Sequence, residues 1–252
     1  MSTIHLVTSG NGNAGKSVFS AVLGYVIEKT CPGQLRRIDA DPQKQTTSRM
    51  YKGTTQIALG DDPMLEDQAD TAWTMAAEGN THVVVDLAAD TDIYINKWID
   101  ERGVVDVAAD EGIRLVKWWI GSADPDSLRM LSKLNGEMPG LQHVLVKSYY
   151  NVREMQWPTA LASVPTVSEA LAGGLEEIVF PKLFGKLALD FREQGLSWEA
   201  IAADSDHQKV SRLNRAAVLR WLGRCEEQIK SVYDFNGKPA AKASVKEKEK
   251  AK

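Results

Sequence analysis

Short apolar, β-branched runs alternate along the chain with longer stretches whose apolar residues recur every three or four positions. The first run, residues 4–7, predicts a strand. It is followed over residues 17–29 by a helical pattern with Val18, Ala21, Val22, Tyr25 and Val26 on one face. Cys31-Pro32-Gly33 ends that helix. Further strands are expected at residues 35–38, 82–87, 113–120, 142–146 and 177–180. Helices fit between them at 62–78, 93–101, 124–134 and 167–172. From 197 to 233 the pattern is helical throughout, with Leu213, Ala217, Leu219 and Leu222 set among arginines. Strands that alternate with helices predict βαβ units. The fold class is therefore α/β, with a mostly parallel sheet flanked by helices and a C-terminal helical segment.

Composition changes this picture little. With 252 residues, 43% hydrophobic and 25% charged, the chain can fill one α/β domain with an ordinary core. We expect a domain over residues 1–235. From Lys238 onward six lysines stand against two glutamates with no aromatic residue, so residues 236–252 read as a disordered, Lys-rich tail. No apolar stretch approaches the roughly 20 residues that span a bilayer. No membrane partner is expected, and the N-terminus enters a strand with no leader-like segment. Cys31 and Cys225 are far apart and show no metal-ligand spacing. Together these features suggest a soluble cytoplasmic protein. A net charge of −4 does not force nucleic-acid binding.

The candidate chemistry begins right after the first strand. Gly10-Asn11-Gly12-Asn13-Ala14-Gly15-Lys16-Ser17 fits G-x-x-x-x-G-K-[ST] between a strand and a helix. Glycines let backbone N–H groups converge on phosphates, and the helix beginning near Val18 offers its positive end. Lys16 would contact the β/γ-phosphates, and the Ser17 hydroxyl would ligate Mg²⁺. Two later strands end in carboxylates, one at Asp39-Ala40-Asp41 and the other at Asp86. In an open parallel sheet these strand ends face the ligand. Three carboxylates facing a polyphosphate require a cation, so Mg²⁺ is implied. Asp41 is the candidate to position an attacking water. Asp86 is the candidate metal ligand, directly or through water, and Asp39 would support the metal from behind.

These residues resemble the ParA/MinD group of deviant Walker ATPases. The likeness lies in the phosphate loop, the Ile38-Asp39-Ala40-Asp41-Pro42-Gln43 segment and the Val83-Val84-Val85-Asp86 strand. Within the group the chain looks most like the TraL-type proteins of conjugative plasmids. The Ile4-His5-Leu6-Val7 opening, residues 178–183, Asp190-Phe191-Arg192 and the basic helix near 212–227 carry that second likeness. The resemblance implies ATP and Mg²⁺ as cofactors, a homodimer with nucleotide at its interface, weak ATPase activity and a role in plasmid transfer or partition. It also implies that Asn151, or backbone near Pro181, holds the base. One departure stands out. The lysine that opens the family's loop motif, and contacts phosphate across the dimer, falls at Asn11, while Asn13 replaces a glycine. Either hydrolysis is slow and the chain is mainly a nucleotide-dependent interaction module, or another cation such as Lys44 serves. A small-molecule kinase on the same scaffold would need basic substrate anchors, and none is evident in the sequence.

Other features have plain readings. One of Trp118 and Trp119 is expected in the core with the other facing a helix or partner, and Trp157 is expected in an exposed loop. The four histidines form no cluster at ligand spacing. Lys209, Arg212, Arg215, Arg220, Arg224 and Lys230 could track nonspecific DNA or form a solvated face.

Overall fold

A computed structural model of the chain describes residues 1–12, 14–138, 140–150 and 152–235. Asn13, Asn151 and the Lys-rich tail, all named above, lie outside the described residues. The chain runs β1 (Thr3–Thr8), α1 (Lys16–Thr30), β2 (Leu35–Ala40), α2 (Thr46–Met50) and β3 (Thr55–Gln56). A 3₁₀ segment (Pro63–Ala69) leads to α3 (Asp70–Ala77), β4 (His82–Leu87), α4 (Asp92–Glu101), α5 (Val104–Glu111) and β5 (Arg114–Gly121). Then come α6 (Pro125–Glu137), β6 (Gln142–Ser148), α7 (Trp157–Ala162), α8 (Pro165–Ala172), β7 (Glu176–Phe180), α9 (Leu187–Glu193), α10 (Trp198–Ala203) and α11 (Arg212–Val232).

The seven strands form one sheet in the order β3-β2-β4-β1-β5-β6-β7, and every pair is parallel. β1 and β4 are buried along their whole length, which explains their unbroken apolar runs. Alternate residues serve opposite faces. Val7, Val84 and Trp118 meet α1 and the C-terminal helices, whereas Ile4, Leu6, Val83 and Val85 meet α3, α4 and α5. Trp119 points the other way from Trp118, into α6, α7 and α8.

Both tryptophans are therefore core, because helices cover both faces. Trp157 corrects the expectation of an exposed loop, since it opens α7 and is buried in the same cluster as Trp119. The pattern over 62–78 divides into a 3₁₀ turn capped by Asp62 and a short α-helix. α5 and the two-residue β3 carry too little periodicity to be seen in advance.

Capping sets the later helices. Asp124 accepts from Ser127 N with Pro125 in the first turn, Ser197 accepts from Ala200 N, and Ser211 accepts from Asn214 N. α11 buries Val218, Trp221, Leu222, Cys225, Ile229 and Val232 at helical spacing. Two of its basic residues are engaged: Lys230 pairs with Glu226 at 2.7 Å and Arg215 donates to the Ala202 carbonyl. Arg212, Arg220 and Arg224 stand exposed on the outer face. Among the described residues no helix is long and apolar enough to cross a membrane.

Candidate functional site

The site is built where β1, β2 and β4 end. β1 passes into the loop that carries Gly10 to Gly15, and α1 starts at Lys16. Gly15 caps α1 at φ 101°, a left-handed conformation that favours glycine. Gly10 is also required, because a Cβ there would lie 2.9 Å from the Ser127 hydroxyl. Ser148, at the end of β6, donates to the Ala14 carbonyl at 2.9 Å and pins the far side of the loop. α1 has no acidic residue in its first turn, so the positive end of a 15-residue helix is left for an anion.

Lys16 is buried, and its ammonium donates to Ser9 Oγ at 2.9 Å. Ser9 in turn donates to the Asn11 carbonyl at 2.6 Å. Burial lowers the Lys16 pKa, and Asp86 opposes that shift. The Asn11 side chain faces away from this chain of contacts. Its amide nitrogen donates to Ser122 Oγ at 3.2 Å and to Asp124 Oδ2 at 3.1 Å, on the loop between β5 and α6.

The acidic floor follows from strand register, which sets Asp39 of β2 directly beside Asp86 of β4. Both are buried. Asp39 is fully occupied by protein donors: the Asp41 N–H, the Ser48 N–H and the Ser48 hydroxyl. Asp86 Oδ2 accepts from Thr47 Oγ1 at 2.7 Å, while its buried Oδ1 has no hydrogen-bond partner among the described residues. Burial pushes the Asp86 carboxyl up to about 7; neighbouring Asp39 adds to this, and the Thr47 and Ser17 hydroxyls and Lys16 pull the other way. An open carboxylate oxygen beside the Ser17 hydroxyl suits a hard cation such as Mg²⁺. Among the described residues no group of three or more His, Cys, Asp or Glu side chains could hold a metal by itself. A cation here would share its ligands with an anionic partner.

A cleft of about 910 Å³ opens in front of the loop. Gly15, Lys16, Ser17 and Val18 line one side, and Asp41, Lys44 and Arg49 line a second. Tyr150, Arg192, Glu193 and Gly195 also line it. Asp41 accepts from the backbone N–H groups of Gln43 and Lys44, so its carboxylate shapes the turn into α2 as it borders the cleft. Pro181 is placed elsewhere: its carbonyl accepts from Trp221 Nε1 at 2.7 Å, and it does not line the cleft.

Several contributors were missing from the sequence reading. Ser9, Thr47 and Ser48 hold the lysine and the two aspartates, although the Thr46-Thr47-Ser48 hydroxyl run after the acidic segment was a usable signal. Lys117 is another. It is wholly buried on β5, 2.7 Å from Asp92 Oδ1 at the start of α4. Thr8, at the root of the phosphate loop, donates to the same oxygen at 3.0 Å, and Asn96 joins the network. A lysine inside an apolar strand run has to be paired, and that was its signal.

No family model and no curated protein matches the chain. Solved structures do. A MinC:MinD cell division protein complex from Aquifex aeolicus aligns over 88% of this chain and 96% of that chain, with 17% identity and a TM-score of 0.51. MinD from the same organism aligns over 88% and 97%, with 17% identity and a TM-score of 0.50. A ParA family ATPase from Chlorobium tepidum aligns over 87% and 96% at 11% identity, with a TM-score of 0.48. At such identities the likeness is one of fold: an all-parallel P-loop NTPase sheet flanked by helices.

Proposed function

We propose that the chain is an ATP-binding molecular switch that uses Mg²⁺ and dimerises with nucleotide. One observation carries the reading. The Lys16–Ser17 start of α1, which lines the cleft, lies beside a buried aspartate, Asp86, one of whose oxygens has no hydrogen-bond partner among the described residues. In this reading the Gly10–Gly15 backbone (residues 10–15) and Lys16 hold the phosphates, and Ser17 and Asp86 hold the cation. When bound, Mg²⁺ offsets phosphate charge next to the two strand-end carboxylates. Asp39 fixes the Asp41 turn and α2, and Asp41 orients a water toward the terminal phosphate. Tyr150 lines the cleft and offers a ring on which a base could stack.

Plasmid transfer or partition is the process this reading favours, supported by the segment resemblances around residues 178–183 and 190–192. Arg212, Arg220 and Arg224 on the open face of α11 are the candidate contacts to nonspecific DNA. A second reading, a binding module with little turnover, is favoured by the Asn11 amide. It is tied to Ser122 and Asp124 within its own chain and brings no charge to phosphate.

Sedimentation of the full chain with Mg-ATP, with phosphate release measured on the same samples, tests the proposal. A shift from monomer to dimer, absent in Lys16→Ala, is expected. An unchanged monomer would remove the dimeric switch, and a dimer without phosphate release would select the second reading.

A further inference from the structure

The cleft carries two guanidinium groups that the phosphate loop does not account for. Arg49 lies in the last turn of α2 and Arg192 in α9, and both line the cleft. Among the described residues neither side chain has a hydrogen-bond or ion-pair partner. Their backbones are nevertheless held firmly. Thr47 and Ser48, which precede Arg49, are bonded to Asp86 and Asp39. Phe191, which precedes Arg192, is buried and packs edge-on to Trp198 with ring centroids 6.5 Å apart. The two supports share a brace. Arg37 of β2 lies 4.0 Å from the Tyr51 ring centroid just after α2, and it pairs with Glu199 of α10 at 2.8 Å.

Two exposed arginines fixed at the root, facing one cleft and unpaired within it, suit an anionic group that bridges them. The cleft also contains Asp41 and Glu193, which offset Lys16 and Lys44, so the two lysines do not balance a Mg-bound triphosphate. Asn11 contributes no charge. We propose that Arg49 and Arg192 form a clamp on the terminal phosphate of a nucleoside triphosphate, supplying from within the chain the charge that position 11 lacks. The inference rests on the nucleotide reading above and adds to it a means of telling triphosphate from diphosphate. Only the longer anion engages both arms, and engaging both ties α2 to α9.

Calorimetric titration with Mg-ATP and Mg-ADP tests this on the full chain, on Arg49→Ala, on Arg192→Ala and on the double variant. Each single change is expected to weaken ATP binding about tenfold while ADP binding changes much less, the scale of one lost charge-assisted contact. Adding Asn11→Lys to the double variant is expected to restore part of the ATP affinity, which a merely structural role would not allow. Both arginines are exposed, so an unaltered thermal midpoint is expected to show that the variants fold. Equal losses for both nucleotides, or no loss, would overturn the clamp while leaving the nucleotide site standing. A wild type that binds neither nucleotide would overturn the site and the clamp together.

Discussion

The two ends of the same central strands are built on opposite principles. At their C-terminal ends, around Asp86, Lys16 and the cleft, polar groups are gathered and left with capacity to spare. Toward their N-terminal ends a second polar cluster closes on itself. Trp118 Nε1 donates to His5 Nδ1 at 3.2 Å, and His5 Nε2 meets His82 Nδ1 at 3.2 Å. The Thr3 and Tyr233 hydroxyls pair at 2.6 Å, and Arg114 lies 4.5 Å from the Tyr233 ring centroid. Since Trp118 can only donate, His5 accepts at Nδ1 and carries its proton on Nε2, which makes His82 Nδ1 an acceptor. Each of these groups has a partner, and the segment after α11 is stapled to the sheet as a result. A buried polar group that is satisfied inside the chain stabilises the fold. One that is left open is available to a ligand.

The buried Lys117–Asp92 pair lies between the two ends and gives the strongest way to break the contrast. Lys117→Met would leave Asp92 buried without its cation, and a loss of roughly 3–5 kcal/mol in urea unfolding is expected. Asp92→Asn added to Lys117→Met should recover much of that loss, because no buried charge then stands alone. If Lys117→Met were as stable as wild type, the network would be ornamental and the root of the phosphate loop would be held by other means.

A smaller and more graded effect separates the two ends by pH. Burial lowers the His82 pKa to about 4, with the N-terminal amine and Arg114 adding to the shift, and it lowers His5 well below its ordinary value. In the unfolded chain both return to about 6.5. The unfolded state therefore binds more protons below that pH, and stability falls as the solution is acidified. The stabilisation is fully present above pH ~6.5 and is lost toward pH ~4, with a slope of up to roughly 1.4 kcal/mol per pH unit for each histidine. Thermal unfolding of wild type and His82→Asn between pH 7 and 4.5 checks this. The variant should lose part of the slope, and parallel curves would show that His82 is not the group responsible.

The sequence displayed the open end far better than the closed one. Glycines, a lysine and strand-terminal aspartates have their positions set by local spacing, so the places of Gly15, Lys16, Asp39 and Asp86 at the strand ends could be read without coordinates. The parallel sheet was legible for a similar reason, because β1 and β4 are buried on both faces and read as unbroken apolar runs. His5, His82, Trp118 and Tyr233 meet only through tertiary packing, and nothing local marks them as partners. The same holds for Arg49 and Arg192, 143 positions apart in the numbering and brought to one cleft by the C-terminal helices. Trp157 was misplaced because a Trp-Pro pair resembles loop chemistry, whereas here the proline occupies the first turn of a helix, where its missing N–H costs nothing.

Titration of the full chain with ATP, with and without Mg²⁺, beside Lys16→Ala is the most direct measurement on the open end. Saturable one-to-one binding that strengthens with Mg²⁺ and is lost in Lys16→Ala is the expected result. No binding by the wild type, or equal binding by Lys16→Ala, would contradict a nucleotide site at the junction of β1 and α1.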